Sequence, residues 1–206
     1  GLLEYHTEKW GNPKVFGYKD FIPLFTAEKF EPDVWAKLFK EAGATYVIPT
    51  AEHHDGFALY DSKLTRWDAK DMGPKRDLIG ALAKSIRAQG MKFGVSNHRM
   101  EHWDFMYPTV TEEHDLYDPA YADFYGPPQK PDKNKASAMG PTEEEVMEDK
   151  EAPQNQGFLE EWLARCQEII DKYQPDILWF DNGINSRSLD SLKLRLAAYY
   201  YNRAAQ

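Results

Sequence analysis

Three short clusters of polar residues each follow directly on a β-type apolar run, and their side chains are of the kinds used for acid–base chemistry and for binding polyhydroxylated ligands. The first, Glu52-His53-His54-Asp55-Gly56-Phe57, follows the run ATYVIPT. Four consecutive ionisable residues read as too hydrophilic for a core, and Gly56 suits the unusual backbone of a turn. Adjacent imidazoles can offer ring nitrogens to neighbouring hydroxyls of one sugar, or to a metal ion. The metal alternative, with His53, His54 and His98 as its ligands, needs three or four donors at fixed distance. Consecutive residues of an extended strand face opposite ways, which argues against His53 and His54 sharing one ion, and no CxxC or HExxH pattern accompanies them. The expectation is therefore no metal and no cofactor.

The second cluster, Ser96-Asn97-His98-Arg99-Met100-Glu101-His102-Trp103, follows MKFGV. His98 comes first after the apolar run and is the better ligand-facing candidate there. Arg99 and Glu101 read equally as an ion pair at the rim or as substrate contacts. The third, Trp179-Phe180-Asp181-Asn182-Gly183, closes DILWF. The two-residue period of a strand puts Trp179 and Asp181 on one side. An indole there makes a flat apolar wall for the C–H face of a sugar, and the carboxylate beside it can act as a nucleophile. The competing reading of Asp181 is a cap on the turn before Gly183.

The elements that position these clusters are legible in the pattern. Strands are predicted over Ala44–Pro49, Met91–Val95 and Asp176–Phe180. Helices are predicted over Pro32–Ala42 (apolar at Val34, Trp35, Leu38 and Phe39), Asp77–Ala88, Phe158–Tyr173 and Leu189–Arg203. Alternation of this kind implies βαβ crossovers and a parallel sheet, an α/β class in which ligands bind at the carboxyl ends of strands. The residues 126–157 form the one segment of low hydrophobicity, a solvated insertion in a single domain over 1–206. Before it, Trp103, Phe105, Tyr107, Tyr117, Tyr121, Phe124 and Tyr125 make an aromatic stretch able to wall a cleft.

Composition bounds the partners. Over 206 residues, 25 Lys+Arg against 34 Asp+Glu give a net charge of −9, which disfavours nucleic acid, and no apolar run is long enough to span a membrane. Cys166 sits in a helical apolar pattern and reads as packing. The start, GLLEYH, has no initiator Met, basic region or apolar region, so the chain reads as processed or truncated and its compartment is not assigned.

Phe16-Gly17-Tyr18-Lys19-Asp20-Phe21-Ile22-Pro23-Leu24-Phe25, Glu52-His53-His54-Asp55-Gly56-Phe57, Gly73-Pro74-Lys75-Arg76-Asp77, Lys92-Phe93-Gly94-Val95-Ser96 and Trp179-Phe180-Asp181 together resemble the α-L-fucosidases of glycoside hydrolase family 29. The resemblance implies a (β/α)₈ TIM-barrel-like catalytic domain that removes terminal α-L-fucosyl residues from glycans with retention. It implies Asp181 as nucleophile, Trp179 as a wall of the sugar pocket, and His53 and His54 as ligands of sugar hydroxyls. His98 and Glu101 join the substrate-binding expectation by neighbourhood. The barrel is expected to be incomplete, with about three βα units, and the family's acid/base carboxyl falls on a strand beyond Asp181. Glu52, Asp55, Glu101 and Glu160 are the local carboxyls to weigh in its place, Glu160 on a solvent face. The alternative is a noncatalytic partial barrel that binds fucose or self-associates as a homo-oligomer through exposed edges.

Overall fold

The computed structural model describes residues 1–106, 114–126, 156–181, 184 and 189–205. Its centre is β3 (Lys92–Asn97), buried from Phe93 onward. Two short strands, β1 (Tyr46–Val47) and β2 (Thr50–Glu52), lie parallel to β3, with Tyr46 opposite Lys92 and Glu52 opposite Asn97. They are two pieces of one irregular strand along one edge of β3. Pro49 has no N–H to give, but its carbonyl still accepts from Ser96 at 3.0 Å, and the register shifts between Thr50 and Glu52. The predicted strand over Ala44–Pro49 therefore runs three residues further and includes Glu52. On the opposite edge β4 (Ile177–Phe180) pairs parallel with β3, Trp179 facing Ser96 in register. The result is a mixed α/β structure with a parallel sheet that does not close into a barrel among the described residues.

The helices are α1 (Leu2–Trp10), α2 (Pro32–Glu41), α3 (Leu78–Ala88), the single turns α4 (His102–Phe105) and α5 (Ala122–Tyr125), α6 (Gln156–Tyr173) and α7 (Asp190–Ala204). Local chemistry sets several ends. Asp77 caps α3 by accepting from Gly80 N–H at 2.8 Å and also accepts from the Tyr173 hydroxyl at 2.9 Å. Arg87 of α3 donates to the carbonyls of Tyr173 and Gln174 at 2.7 and 2.6 Å, satisfying carbonyls at the C-terminal end of α6.

Two apolar clusters result. One gathers Phe93, Val95, Ile79, Ile86 and Phe124; the other gathers Trp162, Leu163, Cys166, Leu192 and Leu196 between α6 and α7, and Leu178 of β4 packs against both. Cys166 is fully buried, as its place in the apolar pattern predicts. Helix α2 departs from its prediction: Ala36 is its buried residue, while Val34, Trp35 and Leu38 are exposed by 57, 41 and 60%. The amphipathic stripe is only partly covered: Phe39 packs against the first cluster and Asp33 accepts from Ser85 of α3, while Val34, Trp35 and Leu38 face outward. The insertion over 127–155 and Tyr107 lie outside the described residues, as does the side chain of Trp103. No described helix is long and apolar enough to cross a membrane.

Strand contact in the centre leaves no room at Gly94, where a Cβ would sit 2.9 Å from both the Ile177 carbonyl oxygen and Ile48 Cγ1. The expected effect of Gly94→Ala is a destabilisation of about 1–3 kcal/mol in chemical denaturation, from forcing β3 and β4 apart.

Candidate active site

The site is assembled at the carboxyl ends of β2, β3 and β4, and its foundation is an ion network that the sequence does not announce. Glu52, last residue of β2, is fully buried. Its Oε1 accepts from Arg99 Nη1 at 2.9 Å and from Arg165 Nη1 at 3.0 Å. Glu161 completes the network, taking Arg99 Nη2 at 3.0 Å and Arg165 Nη2 at 2.7 Å. Burial works to raise the Glu161 carboxyl, but Arg99 and Arg165 outweigh it and hold it below the usual carboxylate range. Burial likewise opposes charge on Arg165, and the neighbouring Glu52 and Glu161 more than restore it.

This arrangement corrects three expectations. Glu52 is not too hydrophilic for the core, because two guanidinium groups replace its water. Arg99 does not pair with Glu101; it turns to Glu52 and Glu161. As a local acid/base carboxyl, Glu52 is ruled out by complete burial, while Glu160 lies on an exposed face, paired with Arg195 at 2.7 Å. Arg165 and Glu161 were missed. The signal was present in α6, where Arg165 lies three residues after Trp162 and four before Ile169, on the stripe that packs inward.

Above the network lie the imidazoles. His53 and His54 follow the strand end, in a turn whose Gly56 has φ +79° and whose Cβ, if present, would meet the His102 ring at 2.9 Å. Strand alternation therefore does not govern the pair. Their rings stack at 4.0 Å between centroids, and the His98 ring lies 4.9 Å from His53 and 5.7 Å from His54. The argument that His53 and His54 must diverge is overturned: donor atoms of His53, His54 and His98 lie within 4.8 Å of one another. His54 Nε2 meets the Glu101 carboxylate in a close ion-pair contact. His98 Nε2 is 3.1 Å from Ser96 Oγ, and its Nδ1 is 3.5 Å from Asp181 Oδ2. Donor atoms of His98, Glu101 and Asp181 also fall within 4.8 Å of one another.

The sequence candidates His53, His54, His98, Glu101 and Asp181 thus converge. Trp179 and Asp181 stand at the open side, Trp179 exposed by 55% and the Asp181 side chain by 53%. Burial first, and the neighbouring imidazoles second, lower the proton affinity of His53 and His98 below the usual histidine value. Asp55, raised by burial, accepts from the Tyr18 hydroxyl at 3.1 Å, which ties the N-terminal region to the turn.

Of the aromatic stretch, Phe105 stands edge-on to His54 at 5.2 Å. Phe124 and Tyr125 are buried instead, Phe124 against Trp67 and Tyr125 donating its hydroxyl to Asp115 at 2.9 Å, so they anchor the core rather than line a cleft. His102 was not singled out. It is buried, and its Nδ1 donates to the His54 carbonyl at 2.6 Å, fixing the backbone of the turn; burial and Arg99 push its pKa down to about 3.

A parallel α/β sheet carrying imidazoles and carboxylates at its strand ends defines a polar-ligand site of the kind found on α/β enzymes. The particular family follows from comparison: the family model Alpha-L-fucosidase matches residues 2–206, so the chain belongs to the alpha-L-fucosidases of glycoside hydrolase family 29. Tissue alpha-L-fucosidase of Mus musculus is 33% identical over 171 residues, which are 82% of this chain and 29% of that protein. A Thermotoga maritima alpha-fucosidase solved with a mechanism-based inhibitor superposes with a TM-score of 0.67 at 34% identity, over 98% of this chain and 39% of the other. The same fucosidase solved with fucose gives 0.67 at 34% identity, over 97% of this chain and 39% of the other. The chain spans about 29% of the length of the mouse relative.

Two outcomes follow from the buried groups. Arg165→Met leaves Glu52 and Glu161 short of a cation and is expected to cost about 3–5 kcal/mol in urea unfolding. Because His102 binds a proton far less readily folded than unfolded, the unfolded chain takes up more protons below its ordinary value. Its contribution to stability is full above about pH 6.5 and falls by up to about 1.4 kcal/mol per pH unit down to about pH 3, which denaturation at stepped pH measures.

Proposed function

We propose that the chain is part of a (β/α)₈ catalytic domain that hydrolyses terminal α-L-fucosyl linkages with retention, with Asp181 as nucleophile. The observation that carries this reading is the meeting of the Asp181 carboxylate with His98, 3.5 Å away, beside the stacked His53 and His54, in a chain of this family. A deoxyhexose lying between them would present its anomeric carbon to Asp181 and its hydroxyls to the imidazoles, with Trp179 as the apolar wall. His53, with its ring exposed to solvent, and His98, held near Asp181, accept or donate hydrogen bonds as neutral imidazoles. Glu101, buried and gripped by His54, supplies an acceptor for a hydroxyl.

The reaction proceeds in two displacements. An Asp181 carboxylate oxygen bonds to the anomeric carbon as the glycosidic C–O bond breaks, and a carboxylic acid protonates the leaving oxygen. Water then attacks the fucosyl-enzyme, giving its proton to the same group and restoring Asp181. In our reading that acid/base comes from a later strand, as the family resemblance implies, and the substrate is a fucosylated glycan. The Thermotoga maritima structure in complex with fucose supports the choice of sugar.

The test is turnover of an aryl α-L-fucoside by the whole protein. Asp181→Gly is expected to reduce it by several orders of magnitude, and added azide to restore part of it by taking the vacated place on the anomeric carbon. A wild-type protein without turnover, or an Asp181→Gly protein that keeps it, overturns the reading.

A further inference from the structure

We propose that His98, Glu101 and Asp181 form a binding site for a divalent transition-metal ion of the zinc class, and that the ion and the sugar exclude one another. The first part rests on side-chain geometry alone; the exclusion rests on the functional reading above. Two carboxylates and one imidazole converge here, a mixed nitrogen–oxygen donor set that suits Zn²⁺ more than Mg²⁺ or Ca²⁺. The donor atoms of His98, Glu101 and Asp181 lie within 4.8 Å of one another. Tetrahedral zinc needs donors about 3.3 Å apart. The remaining closure falls on Asp181, whose side chain is half exposed and has room to move.

A second observation points the same way. His98 Nδ1 and Glu101 Oε1 are buried side-chain atoms without a hydrogen-bond partner, and Glu101 is only 6% exposed. Both belong to the cluster, so the site holds unmet donor capacity at fixed positions. His54 is left out of the set for a geometric reason. Its donor atoms, like those of His53, gather with His98 in a separate group that holds neither Glu101 nor Asp181. The ion would lie against the Asp181 carboxylate and so cover the nucleophile.

Titration calorimetry of the whole protein with ZnCl₂, and separately with MgCl₂, tests the site. The expected result is saturable Zn²⁺ binding weakened at least tenfold by His98→Ala and by Glu101→Gln, with no event for Mg²⁺; thermal melts establish that both variants are folded. Zn²⁺ binding unchanged in both folded variants, no binding at millimolar Zn²⁺, or equal binding of Mg²⁺ overturns it. Saturating L-fucose is expected to weaken the apparent Zn²⁺ affinity, and fucose and Zn²⁺ bound independently overturn the exclusion. Metal binding of the expected kind in a protein that turns over no α-L-fucoside would sink the hydrolase reading while upholding the ion site.

Discussion

Everything at the strand ends hangs on one buried carboxylate. Glu52 has no exposed surface, and an unpaired ion there would cost several kcal/mol, so its position is tolerable only where cations meet it. Arg99 comes from the turn after β3 and Arg165 from α6, and Glu161 joins both. One network therefore pins the end of β2, the start of the turn after β3 and one face of α6 to each other. His53 and His54 follow Glu52 directly, and His98 and Glu101 flank Arg99. Placing the ion network places the polar groups above it.

The imidazoles above that base are sorted by burial into different tasks. His102 is buried and neutral and holds the His54 carbonyl, so it shapes the turn. His54 is nearly buried and holds Glu101. His98 is intermediate and stands between Ser96 and Asp181, and His53 faces solvent. Residue type is the same throughout. What differs is their surroundings; for His102, complete burial and the neighbouring Arg99 make charging the ring costly.

Burial declines from Glu52 across the sheet toward β4, where Trp179 and Asp181 are half exposed. A parallel sheet is ordinarily covered on both faces, and its strands are built from apolar runs for that reason. Here the sheet is open on the β4 side among the described residues, and Val34, Trp35 and Leu38 of α2 are likewise uncovered. Both surfaces have the composition of buried ones, in keeping with a chain that spans 39% of a solved relative's length.

How much was legible follows from the range of each interaction. Period and capping are local, so α3, α6, α7, β3 and β4 could be placed within a few residues, and motif order pointed to the family before any contact was known. The clustering of His53, His54, His98 and Asp181 also followed from the rule that polar groups gather at the carboxyl ends of parallel strands. The pairing of Glu52 with Arg99 and Arg165, across 47 and 113 positions of chain, did not, because sequence separation carries no information about which buried charges meet. For the same reason only part of the α2 stripe is met, Phe39 but not Val34, Trp35 or Leu38: an amphipathic stripe records what a helix requires, whereas only the assembled chain decides whether a neighbour is there to meet it.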